Sequence, residues 1–148
     1  MPQPLFVYGT LRDPDVLALV LGHPYPETDA EPATAPGCRV VLFPGRTYPA
    51  LLAAPGEAAP GTLLHHLSGT DLAALDLFEG AEYQRRSLDV IVSGGHLAAD
   101  VYWPATEIGG NAPDWRFADW VGRHKSAFLS AEVRGIEELR RHLSNLPT

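Results

Sequence analysis

Between Asp71 and Gly80 the chain reads as a helix, and at about 100° per residue Leu72, Leu75 and Glu79 fall within roughly 60° of one another. A carboxylate therefore lies on the apolar stripe. Charged side chains seldom go inside a protein without a partner or a purpose. Glu79 also occupies the last turn before Gly80, where the negative end of the helix dipole and the apolar surroundings both disfavour ionisation and raise its pKa. That is the setting of a general acid/base working near neutral pH. An ion pair with Arg85 or Arg86, or a helix end frayed into water, accounts for the same position without chemistry, and spacing alone leaves these readings open.

The second chemical candidate is Tyr8-Gly9-Thr10-Leu11, where an apolar run turns at a glycine and can aim several backbone amides one way. Such amides suit a carboxylate or a developing oxyanion, although a strand ending in Gly-Thr is commonly just a turn. Neither of the glycine patterns that cradle phosphate is present. Arg12 stands beside this turn, either assisting it or solvated.

Other reactive types lack a constellation. His65 and His66 sit next to each other on an expected strand, pointing to opposite faces, so they cannot chelate one ion together. His23, His96, His124 and His142 show no metal-ligand spacing, and no metal or other cofactor is expected. Ser126 and Ser130 have no nucleophile-elbow setting, and Cys38 lies in a β-rich run as a small buried thiol.

The elements that must position these residues follow from periodicity and turn residues. Leu5 to Tyr8 reads as a buried strand, and Asp15 to Leu21 as a helix ended by Gly22. His23 to Pro36, with four prolines, reads as a loop. Strands are expected over Cys38 to Phe43, Tyr48 to Ala53 and Gly61 to Leu67, with Ser68-Gly69-Thr70 opening the central helix. Arg86 to Val92 and Leu97 to Trp103 make a hairpin around Ser93-Gly94-Gly95. Pro113 suits a first helical turn, with Asn111 or Asp114 as caps, and helical patterns cover Trp115 to Leu129 and Val133 to Leu146. Short strands, one central helix and a helical C-terminal third imply an α+β domain with a curled or barrel-like sheet.

The 148 residues carry 11 Lys+Arg against 18 Asp+Glu, a net charge of -7, and 45% are hydrophobic. One domain able to bury its own core is expected, spanning 1–148 with a core over about 4–104 and a helical cover over about 113–146. An acidic chain without a basic run is a poor partner for nucleic acid or anionic membrane. One cysteine, no signal-peptide pattern and no membrane-length apolar run suggest a cytoplasmic protein. The 14 Gly and 14 Pro exceed the usual combined share of about 12% and indicate many turns.

Two strings together are more specific than either alone: Phe6-Val7-Tyr8-Gly9-Thr10-Leu11-Arg12, and Leu75-Asp76-x-Phe78-Glu79-Gly80-x-x-Tyr83-x-Arg85. They resemble the motifs of the γ-glutamylcyclotransferase-like (AIG2-like) family, and Tyr48-Pro49-Ala50 and Gly61 resemble lesser landmarks between them. The resemblance implies a small mixed β-barrel of short strands with peripheral helices. It implies that Glu79 is catalytic, that Tyr8, Gly9, Thr10 and Leu11 hold the substrate by backbone amides, and that Tyr83 lines the pocket. Arg85 falls on a structural or electrostatic position. The implied reaction is cyclisation of a small γ-glutamyl compound to 5-oxoproline with release of an amine or amino acid, the motifs looking closer to the γ-glutamylamine branch.

Two other classes stay open at this level. One is a non-catalytic binder of a small carboxylate metabolite on the same fold. The other is an interaction module using the aromatic stripe Trp115, Phe117, Trp120, Val121, Phe128 and Leu129, which at helical spacing more often packs on its own domain. Monomer and homodimer are both compatible with that stripe.

Overall fold

The computed structural model describes residues 3–131. Strand β1 (Leu5–Val7) is entirely buried. It leads through Gly9 into a 3-10 turn over Thr10–Arg12 and then into helix α1 (Pro14–Leu21). Asp13 caps α1 by accepting from the amides of Asp15 and Val16, and Pro14 occupies the first turn, where its missing N–H costs nothing. Gly22 ends α1 in a left-handed conformation.

Two long strands follow, β2 (Ala30–Leu42) and β3 (Pro49–Leu64), paired antiparallel along nearly their whole length. The prolines of His23 to Pro36 predict a loop there, whereas β2 already begins at Ala30. Ala33 and Ala35 turn inward while Pro32 and Pro36 stay exposed on the outer face, and the register shifts between Pro36 and Cys38. Prolines are tolerated at such bulges and weakly paired edges. β2 is in register with the first strand of the later hairpin at Thr34 and Ile91. The two strands expected over Tyr48 to Ala53 and Gly61 to Leu67 are likewise one strand, since pairing with β2 resumes at Ala58 beyond the irregular stretch opposite that bulge, where Gly56 takes a positive φ of 87°.

Helix α2 (Gly69–Glu79) opens with a capping box in which Ser68 and Asp71 exchange bonds with each other's backbone. It is followed by the hairpin of β4 (Tyr83–Val92) and β5 (Gly95–Pro104), with Val92 opposite Gly95. β1 pairs antiparallel with β3 and parallel with β5, closing a barrel in the order β1-β3-β2-β4-β5. Phe6, Leu51, Leu63, Leu75, Val90 and Val101 fill the core, each fully buried. Burying one such side chain contributes roughly 1.5–3 kcal/mol.

Pro113 does not start a helix. The Leu42 amide donates to the Pro113 carbonyl and the Trp115 amide to the Val40 carbonyl, with Asp114 bridged to Val41. This segment satisfies the edge of β2 beyond its short contact with β4, an obligation that outweighs the proline's helical preference. Helix α3 (Phe117–Arg123) begins later, breaks at His124, and helical backbone resumes over 125–131. Trp115 and Trp120 join the barrel's own core with Phe117, Phe128 and Leu129 packed against it, while Val121 of the same stripe stays exposed. The pattern expected over Val133 to Leu146, with Arg140, Arg141 and His142, lies outside the described residues. No helix among the described residues is long and apolar enough to cross a membrane.

Candidate functional site

The end of α2 and the turn after β1 face one cavity of about 170 Å³. All six residues singled out from the sequence line it: Tyr8, Gly9, Thr10 and Leu11 on one side, Glu79 and Tyr83 on the other. Gly80, with φ of 70°, ends α2 directly after Glu79, so the carboxylate stands on the helix's last residue. Its neighbours Leu72 and Leu75 go into the core, as the shared stripe requires.

Glu79 has its pKa raised to about 8, first by burial and then by the charge of Asp76. The arginines that would have neutralised it are engaged elsewhere. Arg85 is 3.3 Å from Asp76 and 3.9 Å from Asp100, and Arg86 donates to Gln84. Among the described residues no cation pairs with Glu79. Asp76, three residues before the candidate acid, is held by Arg85 and by the Tyr102 hydroxyl, which donates to it at 2.7 Å.

The tyrosines around the cavity are committed donors. Tyr8 donates to the Tyr102 carbonyl and Tyr83 to the Pro49 carbonyl, both at 2.5 Å. Burial, reinforced by Glu79 nearby, pushes both hydroxyls well above their ordinary pKa, so they remain protonated. Gly9 opens the 3-10 turn, whose first amides have no partner within it. Its closeness to the far wall is tight, since a Cβ there would lie 2.6 Å from Pro49 Cγ.

Several wall residues were not singled out as site residues from the sequence. Tyr48 and Phe78 sit inside the quoted strings, Glu82 just after Gly80, and Tyr102 on an inward position of β5. At one edge the Tyr48 hydroxyl donates to Glu82 and Arg46 lies 3.4 Å from that carboxylate. Phe128 comes from far along the chain, and its only sequence signal is its place in the aromatic stripe.

Arg12 does not enter this cavity. Its guanidinium lies over the Phe117 ring at 4.7 Å and lines a separate depression with Cys38 and Trp115, where burial lowers its pKa. The histidine pair also differs from expectation: β3 ends at Leu64, His66 has a left-handed φ of 62°, and His65 is 2.6 Å from Glu31. Among the described residues no three His, Cys, Asp or Glu side chains are placed to hold a metal ion.

The sequence model of "Gamma-glutamyl cyclotransferase, AIG2-like" matches residues 5–121. AIG2-like protein D of Arabidopsis thaliana is 32% identical over 147 residues, covering 97% of this chain and 91% of that protein. A solution structure of an Arabidopsis thaliana protein superposes with a TM-score of 0.66 at 25% identity, over 99% of this chain and 95% of the other. A structure named gamma-glutamyl cyclotransferase, 15% identical, shares the fold at a TM-score of 0.56 over 70% of this chain and 67% of its own.

Proposed function

Because the chain belongs to the gamma-glutamyl cyclotransferase, AIG2-like family, we propose that it cyclises a small γ-glutamyl compound to 5-oxoproline and releases an amine or amino acid, with Glu79 as general acid/base. One observation carries this reading. A carboxyl poised near pH 8, without a cationic partner among the described residues, shares a small cavity with the Gly9–Leu11 turn.

A γ-glutamyl amide brings its own nucleophile, since its α-nitrogen reaches the γ-carbonyl carbon in a five-membered ring. The protein therefore has to hold the folded substrate, move protons and stabilise the oxyanion. As a carboxylate, Glu79 takes a proton from the α-ammonium. The freed electron pair forms the new C–N bond, and the γ-carbonyl oxygen becomes an oxyanion next to the amides of Gly9, Thr10 and Leu11. When the oxyanion collapses, the bond to the leaving nitrogen breaks and Glu79 returns the proton to it. The second proton of the attacking nitrogen follows by the same route and leaves on the released ammonium. Tyr83 shapes the wall, and with its hydroxyl spent on Pro49 it acts by packing.

A panel of γ-glutamyl amino acids and γ-glutamyl amines, assayed for 5-oxoproline, tests the reading. Turnover of at least one class supports it. Silence across the panel, with 5-oxoproline still binding, points to a binder of small carboxylates instead.

A further inference from the structure

One residue of the cavity's lining comes from the far C-terminal part of the described chain. Phe128, on the helical segment 125–131, faces the cavity together with Phe78 and Glu79. The Phe128 ring meets Phe78 edge to face at 6.3 Å and Trp120 at 5.4 Å. Trp120 is fully buried, so Phe128 rests on a rigid base. The family match ends at residue 121, short of this segment.

Besides the packing of Phe128 and Leu129 on the core, Lys125 ties this short, mostly exposed segment to the rest of the fold. Its ammonium lies 2.9 Å from Asp13 and 2.7 Å from Asp15. Asp13 is buried and already caps α1, directly after the turn that carries Gly9, Thr10 and Leu11. The tether therefore joins the two sides of the cavity's rim, the amide-bearing turn and the arm that carries Phe128. Asp13 is already fixed by its capping bonds, so pairing with it orders Lys125 without ordering a second mobile side chain.

We propose that Phe128 is a specificity-determining wall of the Glu79 cavity and that Lys125, through Asp13 and Asp15, is the positioning residue that keeps it there. The wall limits the size of what is joined to the γ-glutamyl group, and the tether couples the arm to the turn. The size-selection part rests on the cyclotransferase reading; the coupling of arm to turn does not.

The test has two arms. In the first, wild type and Phe128→Ala are compared on γ-glutamyl methylamide and γ-glutamyl phenethylamide. The variant is expected to raise kcat/KM for the bulky amide relative to the small one by about 10-fold or more, with an unaltered pH profile. An equal fall on both amides would overturn the selective role. In the second, hydrogen exchange is followed without any substrate. Lys125→Met should speed exchange in 125–131 and also in residues 9–12, whereas faster exchange in 125–131 alone would overturn the coupling. If wild type consumes neither these amides nor any other γ-glutamyl compound, the enzyme reading fails, and the exchange result still decides whether the arm and the turn are joined.

Discussion

Asp76 and Glu79 lie three residues apart on one helix and meet opposite fates. Asp76 is engaged by Arg85 and the Tyr102 hydroxyl, while Glu79 faces the cavity with its pKa raised to about 8. The first carboxylate helps keep a proton on the second, and separating two carboxyls in this way is how a protein assigns an acid/base role.

Removing the candidate acid/base tests that role. Glu79→Gln keeps the cavity's shape and is expected to lower kcat for 5-oxoproline release by at least 100-fold, in line with the 10²–10⁴ supplied by general acid/base groups. Circular dichroism and chemical denaturation should show the fold retained. Residual turnover within a few-fold of wild type would remove Glu79 from the mechanism.

The same variant makes a stability prediction with a definite sign. Glu79 binds its proton more tightly folded than unfolded, so its contribution to stability is present below its ordinary pKa of 4.5 and is lost as pH rises to about 8. Glu79→Gln has nothing to lose over that window. At pH 9 it should therefore be more stable than wild type by on the order of 2 kcal/mol, less than the full shift because the carboxyl faces an open cavity. Denaturant titrations at pH 5 and pH 9 measure the difference.

Asp76→Asn removes the fixed charge below Glu79 while leaving an oxygen to accept from Tyr102. The acid limb of kcat/KM, expected near pH 8 in wild type, should move to lower pH, because a like charge no longer opposes ionisation. A limb that stays in place would mean that burial alone sets the value.

Two glycines sit where there is no room for a side chain. A Cβ on Gly9 would lie 2.6 Å from Pro49 Cγ, and one on Gly61 would lie 2.5 Å from both the Val7 carbonyl oxygen and Phe6 Cζ. Gly61→Ala should cost roughly 1–3 kcal/mol or more by overpacking the core, read by thermal and denaturant unfolding. Gly9→Ala should displace the turn against Pro49 and raise KM by about 10-fold or more, since small misplacements at a reacting site are costly.

Tyr8→Phe removes a buried donor and leaves the Tyr102 carbonyl without it. A loss of roughly 1–3 kcal/mol in unfolding free energy is expected. The pH limb should not move, because Tyr8 holds the strand and does not itself titrate in that range.

Local order carried much of this molecule. The Asp13 and Ser68 caps, the stops at Gly22 and Gly80, the hairpin around Ser93-Gly94, and the stripe of Leu72, Leu75 and Glu79 all depend on residues close in sequence, where propensity and periodicity act directly. The two motif strings announced the family, and Tyr8, Gly9, Thr10, Leu11, Glu79 and Tyr83 within them line one cavity, while Arg12 turns away from it. What depended on distant residues was not readable in advance. The strand through Pro32 and Pro36 and the extended Pro113 exist because neighbouring strands need partners, and that need overrides the local preference of proline. Whether Glu79 would be neutralised was decided by Asp76 and Asp100 engaging Arg85. The direction of Arg12 was set by the Phe117 ring, 105 positions away in a chain that only closes on itself once folded. Sequence determines which side chains can do chemistry; the burial and charge around them come from residues brought together by the closed barrel.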